Sequence, residues 1–260
     1  MRPIEIREAS DMLWQHWMKK RRLDELPLAM RPQTRSEGYA IQAQLETKGR
    51  VVGWKIAATS EAGQAHINVD GPLAGRILYE RLVPPGGRIA FNRNHMRKAE
   101  LEFAFRIGTT LEPQEEEYTV EEVLEAVDTL HLAIEVPDSR YDDFEGVGAP
   151  QLIADNACAD WFVIGDPVSA DWRGIDLASH VVTGFINDGD PQPGIGSNVL
   201  GDPRMALAWL VNELSGLGVV LHAGQVVSTG TCVPPMSVSG GDRIRGDFGE
   251  LGTISATLEE

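Results

Sequence analysis

The spacing of apolar residues changes once along this chain, from a helical period to short strand-like runs. Over residues 3–23, Ala9, Leu13 and Trp17 recur every fourth position, which predicts a helix. A second helix is predicted over 34–47, with Thr34 as cap and Glu37 at the capping-box position. Together they predict a small N-terminal helical region, 1–50. From Val51 onward the apolar runs are short and broken by Gly, Pro and Asp, so 51–260 reads as one β-rich domain. Strands are predicted at Val51–Ile56, Glu100–Ile107, Leu130–Val136, Trp161–Ile164 and Val181–Ile186. The last ends in Asn187-Asp188-Gly189, a hairpin-type turn signal.

Two helices interrupt these strands. One starts from Thr119, with Glu122 completing a capping box, and runs through Val123, Ala126 and Val127 to Leu130. The other has Asp202 as cap and Pro203 in its first turn, with a stripe of Leu207, Leu210, Val211 and Leu214 before Gly216 and Gly218. Strands and Gly turns then alternate from Gly224 to Leu258. Strands outnumber helices and do not alternate regularly with them. The expected class is α+β, a mixed β-fold, not a doubly wound sheet or a βα barrel.

Charge narrows the functions open to such a fold. The 260 residues carry a net charge of −16, so nucleic acid, which needs a basic footprint, is an unlikely partner. No apolar run approaches the roughly 20 residues of a membrane span. The first residues show no apolar leader segment, and the two cysteines, Cys158 and Cys232, form no framework. A cytoplasmic protein is expected.

Three glutamates stand out in apolar surroundings: Glu100 and Glu102 in Ala99-Glu100-Leu101-Glu102-Phe103, and Glu135 in Ile134-Glu135-Val136. Residues two apart on a strand share a face. A third carboxylate from a neighbouring strand would complete an oxygen cluster suited to Mg²⁺ or Mn²⁺, because a hard cation offsets the repulsion of crowded carboxylates. The alternative is an exposed strand face with Glu135 as an ordinary ion-pair partner.

Other candidates have equally plain alternatives. Lys55, between Trp54 and Ile56, is either a desolvated lysine of lowered pKa, fit for acid or anchor work, or a strand lysine with its head in water. Arg76 follows the Gly/Pro stretch Gly71-Pro72-Leu73-Ala74-Gly75 and is either a carboxylate clamp or a surface arginine. Arg140 follows Glu135 as a supporting partner or a surface ion pair. Of six histidines none shows metal spacing, and His66 alone is weighed for catalysis or a helix surface. Ser228 and Thr229 end a strand where hydroxyls can meet an anionic substrate. No G-x-S-x-G elbow and no strand-borne GxGxxG is present, which argues against serine hydrolase and dinucleotide chemistry.

Read in order, Gly53-Trp54-Lys55-Ile56, Glu100-Leu101-Glu102, Ala133-Ile134-Glu135-Val136, Ala154-Asp155-Asn156-Ala157, Gly224 through Thr231, and Gly241-Asp242 through Gly252 resemble the 2-keto-4-pentenoate hydratase family. That family lies within the fumarylacetoacetate hydrolase superfamily. The resemblance runs from about residue 35 to the end. It implies the superfamily's mixed β-roll with an N-terminal helical part, a Mg²⁺- or Mn²⁺-dependent site and homo-oligomers. It implies metal binding by Glu100, Glu102 and Glu135, and Lys55 in the active site. Asp70 keeps the first acid of a loop pattern like D-x-P-D, as a further catalytic candidate. Ser228 and Thr229 would line the substrate carboxylate.

One departure matters. Leu73 stands where hydratases often carry the second acid of that loop, as 4-oxalocrotonate decarboxylases also lack it. The expected activity is hydration of a 2-hydroxy-2,4-dienoate. Alternatives are decarboxylation of a vinylogous 2-oxo diacid, cleavage of an acylpyruvate, or a non-catalytic subunit paired with a hydratase or decarboxylase. Trp54, Phe105, Tyr141 and Phe144 are candidates for the pocket wall or for core packing.

Overall fold

The helical start is shorter than its periodicity suggests. In the computed structural model, which describes residues 1–260, α1 spans Pro3–Lys19 and stops at Lys20, whose backbone turns left-handed with φ 50°. The second helix, α2, spans Arg35–Ala43 and tightens into a 3₁₀ turn over Gln44–Thr47. Thr34 caps it by accepting from the Glu37 amide. The Glu37 carboxylate does not return that bond. It takes the N-terminal amine at 2.7 Å and the Gln33 amide instead.

The rest of the chain builds two mixed sheets. Along the sequence run β1 (Val51–Ala57), α3 (Glu61–His66), β2 (Leu73–Leu78), β3 (Leu82–Val83), β4 (Arg88–Ala90), β5 (Lys98–Ile107), α4 (Val120–Glu125) and β6 (Val127–Val136). Then come α5 (Ala149–Ala154), β7 (Trp161–Pro167), β8 (Val181–Ile186), β9 (Gln192–Ile195), α6 (Pro203–Gly216), β10 (Val226–Thr231), β11 (Met236–Ser237), β12 (Arg243–Asp247) and β13 (Thr253–Glu259). The larger sheet has the order β2-β1-β10-β5-β6-β7-β3, with β11 also pairing β5; the smaller has the order β4-β13-β12-β8-β9. Parallel pairs (β1–β10, β3–β7, β4–β13) mix with antiparallel ones. This is the α+β architecture expected.

Alternation along β5 decides what each face of the larger sheet does. Leu101, Phe103 and Phe105 point toward the smaller sheet and are buried. Phe103 meets Phe248 edge-on with ring centres 5.2 Å apart. A Cβ added to Gly246 would lie 2.9 Å from Leu101, so this glycine lets the two sheets close. Glu100 and Glu102 necessarily take the opposite face.

Two local expectations are corrected. The helix expected from Thr119 to Leu130 ends at Glu125, although its capping box forms. Strand β6 begins at Val127, because pairing with β5 extends back to the Ile107↔Val127 register. The stretch holding Arg76, read as a Gly/Pro loop, is strand β2, buried along its whole length. A strand buried on both faces shows no alternation, so its period is invisible. Gly75 is required there: a Cβ would lie 2.5 Å from the Asn156 carbonyl oxygen.

Candidate metal centre and active site

Strand register assembles the acidic cluster. Glu100 on β5 sits directly opposite Glu135 on β6, and Glu102 follows two residues along the same face. One oxygen from each carboxylate lies within 4.8 Å of the others. Glu102 and Glu135 are fully buried, while Glu100 keeps partial contact with solvent. On the same face, Ser228 of β10 lies between Lys55 of β1 and Ala104 of β5.

Donors around the cluster are unevenly distributed. Oε2 of Glu102 accepts from the Ser228 hydroxyl at 2.5 Å and from the Gly230 amide at 3.0 Å. Its Oε1 has no donor, and neither oxygen of Glu135 has one with hydrogen-bond geometry. Lys55 Nζ stands 2.9 Å from Glu135 Oε1 as an ion pair and donates to the Ala157 carbonyl at 3.0 Å. Buried carboxylate oxygens left without donors are costly. One oxygen from each of Glu100, Glu102 and Glu135, all within 4.8 Å of one another, fits a hard divalent cation, whose preferred ligands are such oxygens.

The titration behaviour follows from the same crowding. Burial, then the neighbouring Glu102 charge, pushes Glu100 up to about 7 against the pull of Lys55 and Lys98. Burial also raises Glu102, opposed by the Ser228 bond and Lys55, and raises Glu135 well above the ordinary carboxyl range. Burial alone would lower Lys55. The charges of Glu135, Glu100 and Glu102 outweigh it and hold the ammonium above its usual value. The lowered lysine pKa expected from its Trp and Ile neighbours is therefore corrected to a raised one.

Residues 78–259 match the model of the fumarylacetoacetate (FAA) hydrolase C-terminal family. The chain belongs to the fumarylacetoacetate hydrolase family. It is 31% identical to 2-keto-4-pentenoate hydratase of Paraburkholderia xenovorans (strain LB400), over 100% of this chain and 97% of that one. It is 30% identical to a 4-oxalocrotonate decarboxylase of Pseudomonas putida, over 86% of this chain and 85% of that one. Among solved structures it resembles 4-oxalocrotonate decarboxylase from Pseudomonas putida G7 complexed with magnesium and adipate. That likeness has a TM-score of 0.89 and 25% identity, over 99% of this chain and 98% of the other.

Within this family member, the remaining predicted site residues are not all brought to the cluster. Arg76 pairs in register with Trp54, the neighbour of Lys55, so it leaves the opposite face of the strand. Its guanidinium is committed to Gln42 and Glu46 and lies 4.4 Å over the Trp54 ring. That excludes the clamp expected of it here. Thr229 likewise alternates away from Ser228 and donates to the Phe103 carbonyl at 2.9 Å. Ser228 does face the cluster, but its hydroxyl is spent on Glu102. The Asp70 side chain is 83% exposed and pairs with Arg35 at 3.3 Å, outside the carboxylate group. His66 is exposed and faces Glu145 at 3.5 Å. Trp54, Phe105 and Tyr141 are core residues, and Phe144 packs edge-on against His66.

Two contributors escaped sequence reading. The Gly230 amide reaches Glu102 because Gly230 takes φ 102°, and the glycine after Ser228-Thr229 was the available signal. The Ala157 carbonyl on Lys55 left no signal of its own, because a main-chain acceptor carries no residue identity.

In the described chain no helix is long and apolar enough to cross a membrane.

Proposed function

We propose that this chain is a divalent-metal-dependent hydratase that adds water to a 2-hydroxy-2,4-dienoate and yields a 4-hydroxy-2-oxo acid. The observation that carries the reading is the cluster of Glu100, Glu102 and Glu135 carboxylates beside the Lys55 ammonium. Full-length similarity to a 2-keto-4-pentenoate hydratase supports the substrate class. Glu100, Glu102 and Glu135 would hold the cation, Mg²⁺ or Mn²⁺. When bound, it supplies Lewis-acid stabilisation of charge on the substrate's 2-oxygen.

The chain's own residues do the rest. Ser228 and the Gly230 amide pin Oε2 of Glu102, which leaves Oε1 free to ligate. Lys55 places a positive charge and a mobile proton beside the 2-oxygen. The dienol ketonises by losing its hydroxyl proton and gaining one at carbon 5. Water then adds across the conjugated double bond, with hydroxyl to carbon 4 and hydrogen to carbon 3. In this reading the protein is cytoplasmic, and it assembles as a homo-oligomer able to pair with a decarboxylase or hydratase subunit. Light scattering of the purified chain tests the assembly.

A second reading, decarboxylation of a 4-oxalocrotonate-like acid, rests on Leu73. This residue pairs with Ala57, two positions from Lys55 on the same face, and is fully buried. It offers apolar surface where a second acid would position water. Freshly generated 2-hydroxypenta-2,4-dienoate and 4-oxalocrotonate, assayed side by side with Mg²⁺ or Mn²⁺, separate the readings. EDTA-sensitive formation of 4-hydroxy-2-oxopentanoate is expected. CO₂ release from 4-oxalocrotonate without hydration would replace the first reading by the second.

A further inference from the structure

The chemistry above makes no use of an unusual turn beside Lys55. Asn156, Ala157 and Cys158 take φ values of 56°, 49° and 60°, three consecutive left-handed residues with side chains. Such a run is unfavourable for L-residues and persists only where its surroundings over-determine it. Here they do. The Asp155 carboxylate, at the entry, accepts from the Ser139 hydroxyl, the Arg140 amide and the Arg140 guanidinium. At the exit, Arg140 donates to the Ala159 carbonyl at 2.9 Å, and the Asp138 amide donates to the Cys158 carbonyl at 2.9 Å. In the middle, Asn156 grips the Arg76 peptide from both ends: its Oδ1 accepts from the Arg76 amide at 2.6 Å and its Nδ2 donates to the Arg76 carbonyl at 2.9 Å. Gly75 leaves the space for this approach.

What the turn presents is the Ala157 carbonyl, 3.0 Å from Lys55 Nζ. The three glutamates all attract this ammonium. It already pairs with Glu135 Oε1 at 2.9 Å, and on a flexible four-carbon stem it would also swing toward Glu100 and Glu102 if nothing held it back. The Ala157 carbonyl is its one uncharged partner. We propose that the left-handed turn Asn156–Cys158 is a positioning device for Lys55, with Asn156 as its key residue: it fixes Nζ beside Glu135 Oε1 and keeps it from the oxygens of Glu100 and Glu102. This rests on the reading that Lys55 acts in the reaction.

The test is a double-mutant cycle on Asn156→Gly and Lys55→Met. Glycine keeps the left-handed backbone and removes only the grip on Arg76. Turnover is measured together with the Mg²⁺-dependent affinity for oxalate, a planar dianion that resembles the enolate and can be titrated on inactive protein. Asn156→Gly is expected to lower kcat about 10- to 100-fold, the usual consequence of a misplaced reacting group. KM should stay within about threefold, since the lost interaction belongs to the transition state. Oxalate affinity should fall in parallel with kcat. In the Lys55→Met background, Asn156→Gly should change oxalate affinity by less than about twofold, because its effect is transmitted through the lysine. An equal loss in both backgrounds would make the turn a fold element only and overturn the proposal. So would unchanged kcat in Asn156→Gly. Undiminished kcat and oxalate affinity in Lys55→Met would instead sink the role of Lys55, and the positioning role with it. Asn156→Ser, whose shorter side chain cannot span the Arg76 peptide, repeats the cycle should the glycine variant fold poorly.

Discussion

Two buried acidic groups lie within this fold, and they are solved in opposite ways. Around Asp155 and Asp160 the chain supplies its own partners. Asp155 is met by Arg140 and Ser139. Asp160 is met by the Trp17 indole at 2.6 Å, Lys20 at 3.2 Å and Arg81 at 3.3 Å. Around Glu100, Glu102 and Glu135 the chain supplies one lysine, paired with Glu135 Oε1, for three carboxylates and leaves Oε1 of Glu102 and Oε2 of Glu135 without a partner. Burial is equally deep at Asp155 and Glu135, so burial does not mark function. What distinguishes the second group is incomplete compensation. A structural ion cluster closes on itself; a site leaves room for something the chain does not encode.

The sharpest way to break the comparison is Glu135→Gln. It removes the charge of a proposed ligand, and hydratase turnover at saturating Mg²⁺ should fall about a thousandfold or more, read from dienoate consumption. Its metal-free stability should change less than that of Asp155→Asn, because Glu100 and Glu102 still compensate the Lys55 ammonium and their repulsion with Glu135 is relieved. Asp155→Asn should behave in the reverse manner. It strands the buried Arg140 guanidinium and should cost about 3 kcal/mol or more in urea unfolding. Equal losses of stability in both variants would erase the distinction between the groups.

Ser228→Ala is the next step down. Glu102 would keep only the Gly230 amide on Oε2, and Mn²⁺ affinity by calorimetry should fall about 10- to 100-fold, the usual cost of losing a bond that orients a ligand. The smallest effect concerns pH. Glu100 titrates near 7 in the fold, above its unfolded value, so the folded chain retains a proton that the unfolded chain has released. Metal-free stability should therefore decline as pH rises from the ordinary carboxyl range through about 7. Cation binding needs the ionised form, so the rise in Tm on adding Mg²⁺ should grow over the same interval, reaching on the order of 5 °C at pH 8. A Mg²⁺ shift independent of pH between 5.5 and 8 would separate Glu100 from the cation.

The legible parts of this molecule are those where pattern is local. The alternation of Glu100, Leu101 and Glu102 assigned the two carboxylates to one face, and the strand around Glu135 brought in the third. Thr119 and Asp202 announced their helices by capping chemistry that needs only a few residues. Strand β2 escaped because complete burial erases the two-residue period, and Arg76 was misplaced with it. The direction of the Lys55 shift also escaped. Its immediate neighbours are apolar, and the charges that decide it lie 45, 47 and 80 residues further along the chain. The turn at Asn156–Cys158 was hidden for another reason: asparagine favours a left-handed backbone, but alanine and cysteine do not.

The position of β10 sets an order in time. It lies between β1 and β5 in the sheet, yet it is made near the end of synthesis. When the ribosome has released β6, Glu100, Glu102 and Glu135 can already pair across their hairpin. The strand that joins Lys55 to them, with Ser228 and the Gly230 amide, is not yet made. A nascent chain halted before Val226 therefore carries an acidic hairpin but no finished site. Contacts of such long sequence separation form slowly, and β10 is the strand that joins Lys55 of β1 to the glutamates of β5.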